Sequence, residues 1–428
     1  MNAPTTNQFS EFKFGWQVVL ASAFGIALGM SPLPFYTLGV FIGPYIQEFG
    51  WSVDRILSAF TVFTICAVFL APLVGHLADR LGVRRVVLIS IPGLSLGLMA
   101  MAFNNGSYPL YLFLWGLLAV LGVGTLPITF TRAVNRWFHD SRGLALGIAL
   151  IGTGLSGFLA KKYVGFLIPE VGWRGAYIGL GLLPLLISFP VNWFLFRDID
   201  DPKAADRAKA LAASRHTEVS SRPGGQTLSE ASRDWRLWLL GYSFLPLSFI
   251  IGGPIPGIEN IMESEGFSTA DALTLGAALP LAVVVGRLMG GFLIDHIWAP
   301  AVAVVILSLP MVFCFILRSD SPDFWLVMMG NISLGLAAGV EYDLLAFLVS
   351  RYFGMRAYAT IYGVMYAIFA LGAGFGPWLY GLTFENTGSY DYILGIALIV
   401  IPFVTLPLLA LGPYRDFPPD DAPASASQ

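Results

Sequence analysis

Gly75-His76-Leu77-Ala78-Asp79-Arg80-Leu81-Gly82-Val83-Arg84-Arg85 joins two apolar runs, residues 56–78 and 86–104. Each run has roughly the 20-residue length that a helix needs to cross the hydrocarbon of a bilayer. Gly82 allows a tight reversal between them. The arginines hold that reversal in the polar headgroup layer, on the side where loop cations accumulate. The stretch therefore reads as a short loop between two antiparallel membrane helices. Stop-transfer charge accounts for Arg84 and Arg85, but not for Asp79 set between two glycines.

The rest of the chain fits this reading. It has 428 residues, of which 56% are apolar and 12% charged, with a mean hydropathy of +0.72. Soluble proteins carry about 25% charged residues, so too little polar surface exists to cover a water-soluble core of this size. Disorder needs low hydrophobicity and high net charge, and the net charge here is −3. That balance also lacks the basic face required for nucleic acid. Cys66 and Cys314 lie inside apolar runs, which suggests neither a disulfide framework nor a metal site, and no cofactor motif is evident. Apolar runs lie near 17–46, 56–78, 86–104, 109–134, 143–168, 174–196, 237–262, 270–294, 299–317, 323–349, 357–383 and 391–412. None alternates in the manner of a barrel strand. The expected fold class is all-α: a polytopic membrane protein with twelve transmembrane helices.

Orientation follows from the Lys/Arg bias. With both termini in the cytoplasm, inward segments carry 17 of the 24 cations and outward loops three, Arg55, Arg174 and Arg318. Arg132, Lys161, Lys162 and Arg287 remain within spans. The first span has no cleavage-site pattern before it and reads as uncleaved. Localisation in the cell inner (cytoplasmic) membrane is expected. The chain divides into a cytoplasmic tail 1–16, a six-helix bundle 17–197, a cytoplasmic linker 198–236, a second six-helix bundle 237–412 and a disordered tail 413–428. The bundles repeat. G-H-L-A-D at Gly75–Asp79 returns as G-F-L-I-D at Gly291–Asp295, an offset of 216, and Arg136-Trp137-Phe138 returns as Arg351-Tyr352-Phe353, an offset of 215. Parallel six-helix repeats are a construction of secondary transporters, with the substrate site at the midplane between rocking halves. Residues 204–215 have the composition of a helical tether.

The 75–85 stretch closely resembles the loop signature of the major facilitator superfamily, G-x-L-A-D-R-x-G-x-R-R, at every specified position. The resemblance implies two pseudosymmetric six-helix bundles. It makes Gly75, Asp79, Arg80, Gly82, Arg84 and Arg85, with Asp295 in the repeat, a cytoplasmic latch of charge-assisted hydrogen bonds. Within the superfamily the chain looks most like the monocarboxylate porter and oxalate:formate antiporter branch. The supporting residues are Gly15-Trp16, Gly286 to Gly291, and Glu341-Tyr342-Asp343 running to Arg351-Tyr352-Phe353. In that branch an eighth-span arginine four residues before a glycine binds the substrate carboxylate, which implies that role for Arg287, ahead of Gly291. The branch's animal members carry an aspartate where this chain has Val283 and a first-span lysine that is missing here.

A charge at a helix centre costs about 2.5–3.5 kcal/mol on insertion scales, so the few present call for a use. Arg287 lies eight residues from Asp295, and Asp343 eight from Arg351, each about 12 Å deep at 1.5 Å per residue. Glu341 lies ten from Arg351, at about 15 Å. The two acids point about 200° apart on a helix, so only one is expected to face Arg287. The expected mechanism has Arg287 bind a carboxylate in competition with an acid that must first take a proton, which makes Glu341 and Asp343 the proton-coupling candidates. Tyr358, Tyr362 and Tyr366 share one helical face. With Tyr36 and Tyr342, Tyr362 and Tyr366 suit an anion with an aromatic or unsaturated body. Lys161 either lines an outward vestibule or snorkels, and Arg132 is expected to snorkel to the inner edge.

No nucleophile, base or metal cluster supports an enzyme, and the duplication argues against a channel ring. The expected function is secondary active transport of an organic anion. The anion is expected to be a monocarboxylate such as an aromatic-degradation intermediate, moved by alternating access with proton symport. The alternative is a proton- or anion-coupled antiporter exporting a metabolite or drug. Partners are the small anion, protons and the bilayer, for a protein acting as a monomer without a cofactor.

Overall fold

A computed structural model describes residues 10–199, 201–215, 224–319 and 323–417. Most of the expected N-terminal tail, the middle of the linker with His216 and Pro223, and residues 418–428 lie outside the described residues. Eleven helical stretches among the described residues are long and apolar enough to cross a membrane. In chain order they are Glu11–Phe49, Arg55–Leu81, Val83–Phe103, Tyr108–Trp137, Arg142–Leu195, Trp235–Ser264, Ala270–His296, Ala299–Leu317, Phe324–Phe353, Tyr358–Thr387 and Asp391–Leu411. The fifth of these is two spans. Gly172, at φ 71° and ψ 170°, breaks its helical path into 142–171 and 173–195, a conformation that costs glycine little. Twelve crossings result, numbered below as the first to the twelfth span. No strand occurs among the described residues, only an isolated bridge between Gly225 and Gly354.

Several spans are interrupted, and lipid requires that freed backbone groups find partners within the protein. The first span stops at Ala27 and restarts at Pro32. The fourth narrows to a 3-10 turn at Val123–Thr125. These two breaks meet, because the Met30 amide donates to Thr125 Oγ1 at 2.9 Å and that hydroxyl donates to the Gly122 carbonyl at 2.7 Å. The first helix begins at Ser10, inside the stretch expected to be a tail. Glu11 explains this early start: it is buried, and its carboxylate accepts from the backbone amides of His139, Asp140 and Ser141 at 3.0–3.1 Å.

The chain forms two compact units. One comprises Met1–Ala231, Val349–Val364 and Tyr414–Gln428, so the junction of the tenth and eleventh spans belongs with the N-terminal helices. Gln226 donates to the Phe353 carbonyl at 2.8 Å, and Met355 to that of Gly224 at 3.0 Å, which ties the linker to the same junction. The linker helix runs over Ala205–Arg215. The other unit comprises Ser232–Leu348 and Met365–Pro413. Its eighth and tenth spans cross with backbones in contact. A Cβ on Gly286 would overlap the Leu336 carbonyl, and one on Gly339 the Val283 carbonyl. Glycine allows this approach, which presents Arg287 to the tenth span.

Candidate functional site

In the first unit the polar cluster gathers around Asp79. The second span ends at Leu81, and Gly82, at φ 85°, turns the chain directly into the third. Asp79 Oδ1 accepts from Arg132 Nε at 2.8 Å and from the Ala359 amide at 3.3 Å. Its Oδ2 accepts from the Thr360 amide and from Thr360 Oγ1, both at 2.8 Å. Those two amides open the eleventh span, which begins at Tyr358, so the carboxylate sits on the positive end of a helix dipole. Gly75 permits the approach, because a Cβ there would overlap the Ala359 carbonyl. Gly75→Val is therefore expected to slow transport about tenfold or more by separating charge-assisted bonds of this kind. Uptake per unit of membrane-inserted protein checks it, and a wild-type rate would show that the approach is dispensable.

Arg132 is the correction here. It does not snorkel: it is 6% exposed and bonded to Asp79 and, at 3.1 Å, to Asp198 Oδ2, with Arg136 3.6 Å from the other Asp198 oxygen. A guanidinium with two carboxylates inside the protein gains more by turning inward than by reaching for headgroups. Two further arginines bridge the neighbouring loops. Arg142 donates to Ser350 Oγ at 3.0 Å, and Arg351 to the His139 carbonyl at 3.2 Å. His139 is held below the usual histidine range, first by desolvation and then by the like charge of Arg142, so it adds no cation at neutral pH. Tyr358 donates to Thr131 Oγ1 at 3.1 Å.

The remaining arginines of the 75–85 motif do not touch Asp79. Arg84 donates to the Trp193 and Phe196 carbonyls at 2.8 and 2.9 Å. Arg80 and Arg85 are exposed and form no ion pair among the described residues. Asp295 ends the eighth span in the second unit.

In the second unit, Arg287 and Asp343 form a buried pair, Nη1 to Oδ1 at 2.9 Å, at 3% and 0% exposure. The geometry answers which acid faces the arginine. Arg287 Nε and Asp343 Oδ2 are buried without a hydrogen-bond partner, and so is Glu341 Oε1 on the far side of the tenth span. One donor and one acceptor of the pair itself thus stand unmatched, and the guanidinium acts electrostatically on both acids. Tyr342 brings its ring 5.9 Å from that guanidinium. Its ring lies 4.3 Å from Phe369 and 6.0 Å from Tyr366. Phe369 was invisible to sequence reasoning, being one apolar residue in an apolar span.

The other expected residues lie in the first unit. A Cβ at Gly157 would overlap the Tyr36 ring, and Lys161 is exposed one helical turn beyond. Tyr362 stacks on Tyr358 at 5.6 Å. The tyrosine face of the eleventh span is therefore shared out, with Tyr362 in one unit and Tyr366 in the other. No group of His, Cys, Asp and Glu among the described residues is arranged to hold a metal.

Comparison with known proteins agrees with this architecture. A human protein named Monocarboxylate transporter 11 is 26% identical over 409 residues, covering 90% of this chain and 81% of its own. A gallate transporter of Pseudomonas putida is 27% identical over 373 residues, 80% of each chain. Among solved structures, a proton:xylose symporter matches with a TM-score of 0.69 at 12% identity, covering 94% of this chain and 96% of its own, which speaks for the fold alone. The family model described as Major Facilitator Superfamily matches residues 24–377. With twelve crossings, a loop signature whose carboxylate caps the eleventh span, and that match over most of its length, the chain belongs to the Major Facilitator Superfamily, a family of transporters and not of enzymes.

Proposed function

We propose that the protein carries an organic carboxylate anion across the cytoplasmic membrane by alternating access, with proton symport and with both termini in the cytoplasm. The observation that carries this reading is the Arg287–Asp343 pair, buried, one-to-one and bordered by unmatched polar atoms. A buried ion pair is poor at stabilising a fold, whereas a guanidinium that can change partners is a carboxylate receptor. When the substrate carboxylate takes Arg287, Asp343 loses its counter-ion inside the membrane, where an unpaired charge is costly. Protonation of Asp343 removes that cost, so one proton accompanies one anion. Glu341, on the far side of the same span but within the electrostatic reach of Arg287, is the second protonatable group.

The rings of Tyr342, Tyr366 and Phe369 beside the guanidinium suit a planar, aromatic or unsaturated monocarboxylate. The gallate transporter named above handles an acid of this kind, which supports the same class here. We assign Tyr36 and Lys161 the roles of an aromatic wall and an anion-attracting cation for the substrate along its path. Tyr362 belongs to the same path. The Asp79–Arg132–Thr360 cluster is the cytoplasmic latch, holding that end shut until the halves rock. The protein acts as a monomer of two bundles, 17–197 and 237–412, tethered by the linker 198–236.

Uptake by purified protein in proteoliposomes under an inward proton gradient tests the reading. A panel of aliphatic and aromatic carboxylates is expected to include acids that accumulate and that leak back when a protonophore is added. Accumulation of sugars or cations with no carboxylate transported would reject it.

A further inference from the structure

Arg84, the motif arginine bonded to the end of the sixth span, borders a second feature. The sixth span widens into a π-helical turn at Pro184–Ser188 and continues through Pro190 to Leu195. Beside that irregularity, Phe189, Pro190, Trp193 and Phe194 line an open cavity of about 320 Å³. All four linings are apolar, and Phe194 is 72% exposed on the outer face of the span. At one end of the groove the described cations outnumber the carboxylate they face. Arg84 and Arg197 both donate to the Trp193 carbonyl, at 2.8 and 3.4 Å, and both face Asp201, at 3.8 and 3.2 Å. Among the described residues, two guanidiniums thus share a single carboxylate. Arg207 of the linker helix feels the charges of Arg197 and Asp201 as well, and adds a third cation to the cluster. The Arg84 guanidinium lies 5.7 Å from the Trp193 ring, so the cationic patch and the apolar groove share that residue.

An excess cation at the end of a membrane span, continuous with an aromatic groove on the lipid side, is a pattern for one kind of ligand. The headgroup region supplies phosphate and the hydrocarbon supplies a chain, in that order along the membrane normal. We propose that this face binds an anionic phospholipid, with its headgroup phosphate on Arg84 and Arg197 and an acyl chain in the groove of Phe189, Pro190, Trp193 and Phe194. The site uses the third and sixth spans and the start of the linker, all within the first unit, and is independent of the Arg287 site and of what that site carries.

The test is thermal unfolding of the full chain in phosphatidylcholine vesicles containing increasing phosphatidylglycerol. Wild type is expected to be stabilised saturably by phosphatidylglycerol. Each surface cation near anionic lipid is worth about fivefold in binding, so Arg84→Gln combined with Arg197→Gln is expected to raise the half-saturating lipid fraction at least about tenfold. Phe194→Ala leaves every charge in place and removes only an exposed ring. It is expected to weaken the same response, and it decides the matter if the double variant fails to fold. Equal stabilisation by phosphatidylcholine, or an unchanged half-saturation in Phe194→Ala, would overturn the proposal. So would glycerol 3-phosphate reproducing the full shift without anionic lipid, since that outcome describes a free-phosphate site.

Discussion

Arg287→Ala is expected to cut carboxylate uptake by about 30-fold or more, because truncating one partner of a buried hydrogen-bonded charge pair costs about 2–5 kcal/mol or more. Loss of fold must be separated from loss of receptor. Removing the arginine leaves Asp343 buried and uncompensated, with its second oxygen already lacking a partner, and breaking such a pair destabilises by about 3–5 kcal/mol. The double variant Arg287→Met with Asp343→Leu removes both charges and keeps most of the volume. It is expected to recover the melting temperature of the wild type while remaining inactive. Recovery of both stability and uptake in the double variant would mean that the pair serves the fold alone.

Asp79→Asn is expected to have the next largest effect. The asparagine side chain has nearly the same shape, but its amide group must face donors. One Asp79 oxygen meets Arg132 Nε and the Ala359 amide, and the other meets the Thr360 amide and hydroxyl. Either orientation of the asparagine sets N–H against N–H, and the charge that complements the start of the eleventh span disappears. Hydrogen bonds to a charged group are worth about 1.5–3 kcal/mol each, so the latched arrangement is expected to lose most of its population. The readout is labelling of Ala78→Cys by a water-soluble thiol reagent, in protein whose Cys66 and Cys314 are replaced by serine. Ala78 is fully buried beside the cluster, and labelling is expected to accelerate about tenfold or more in the Asp79→Asn background. An unchanged labelling rate would show that these bonds do not hold this end closed.

Much of the architecture is legible in the sequence, because a bilayer leaves few choices. Apolar runs of sufficient length place the spans, and the Asp79 loop carries its signature in consecutive residues. What was not legible depends on contacts between distant segments. Arg132 looked like a snorkelling residue because its second carboxylate, Asp198, reads as the first residue of a linker, and Thr360 as an ordinary residue of a long helix. Glu341 and Asp343 sat at similar depth with opposite directions, and periodicity alone does not say which direction faces the eighth span. The contacts at Gly286 and Gly339 decide it, by setting the rotation of the two helices against each other. Glu11 reads as part of a polar tail, because its three amide donors lie about 130 residues away in sequence.

In the proposed mechanism Asp343 exchanges a proton for the substrate anion on Arg287. Asp343→Asn removes the competing negative charge from Arg287 and cannot take up the proton, so binding and coupling are expected to separate. The direct measurement compares two activities of this variant in proteoliposomes: exchange of external for internal carboxylate at equal pH, and net accumulation under an imposed proton gradient. Retained exchange with accumulation lost is the predicted result, and accumulation at the wild-type level would contradict it.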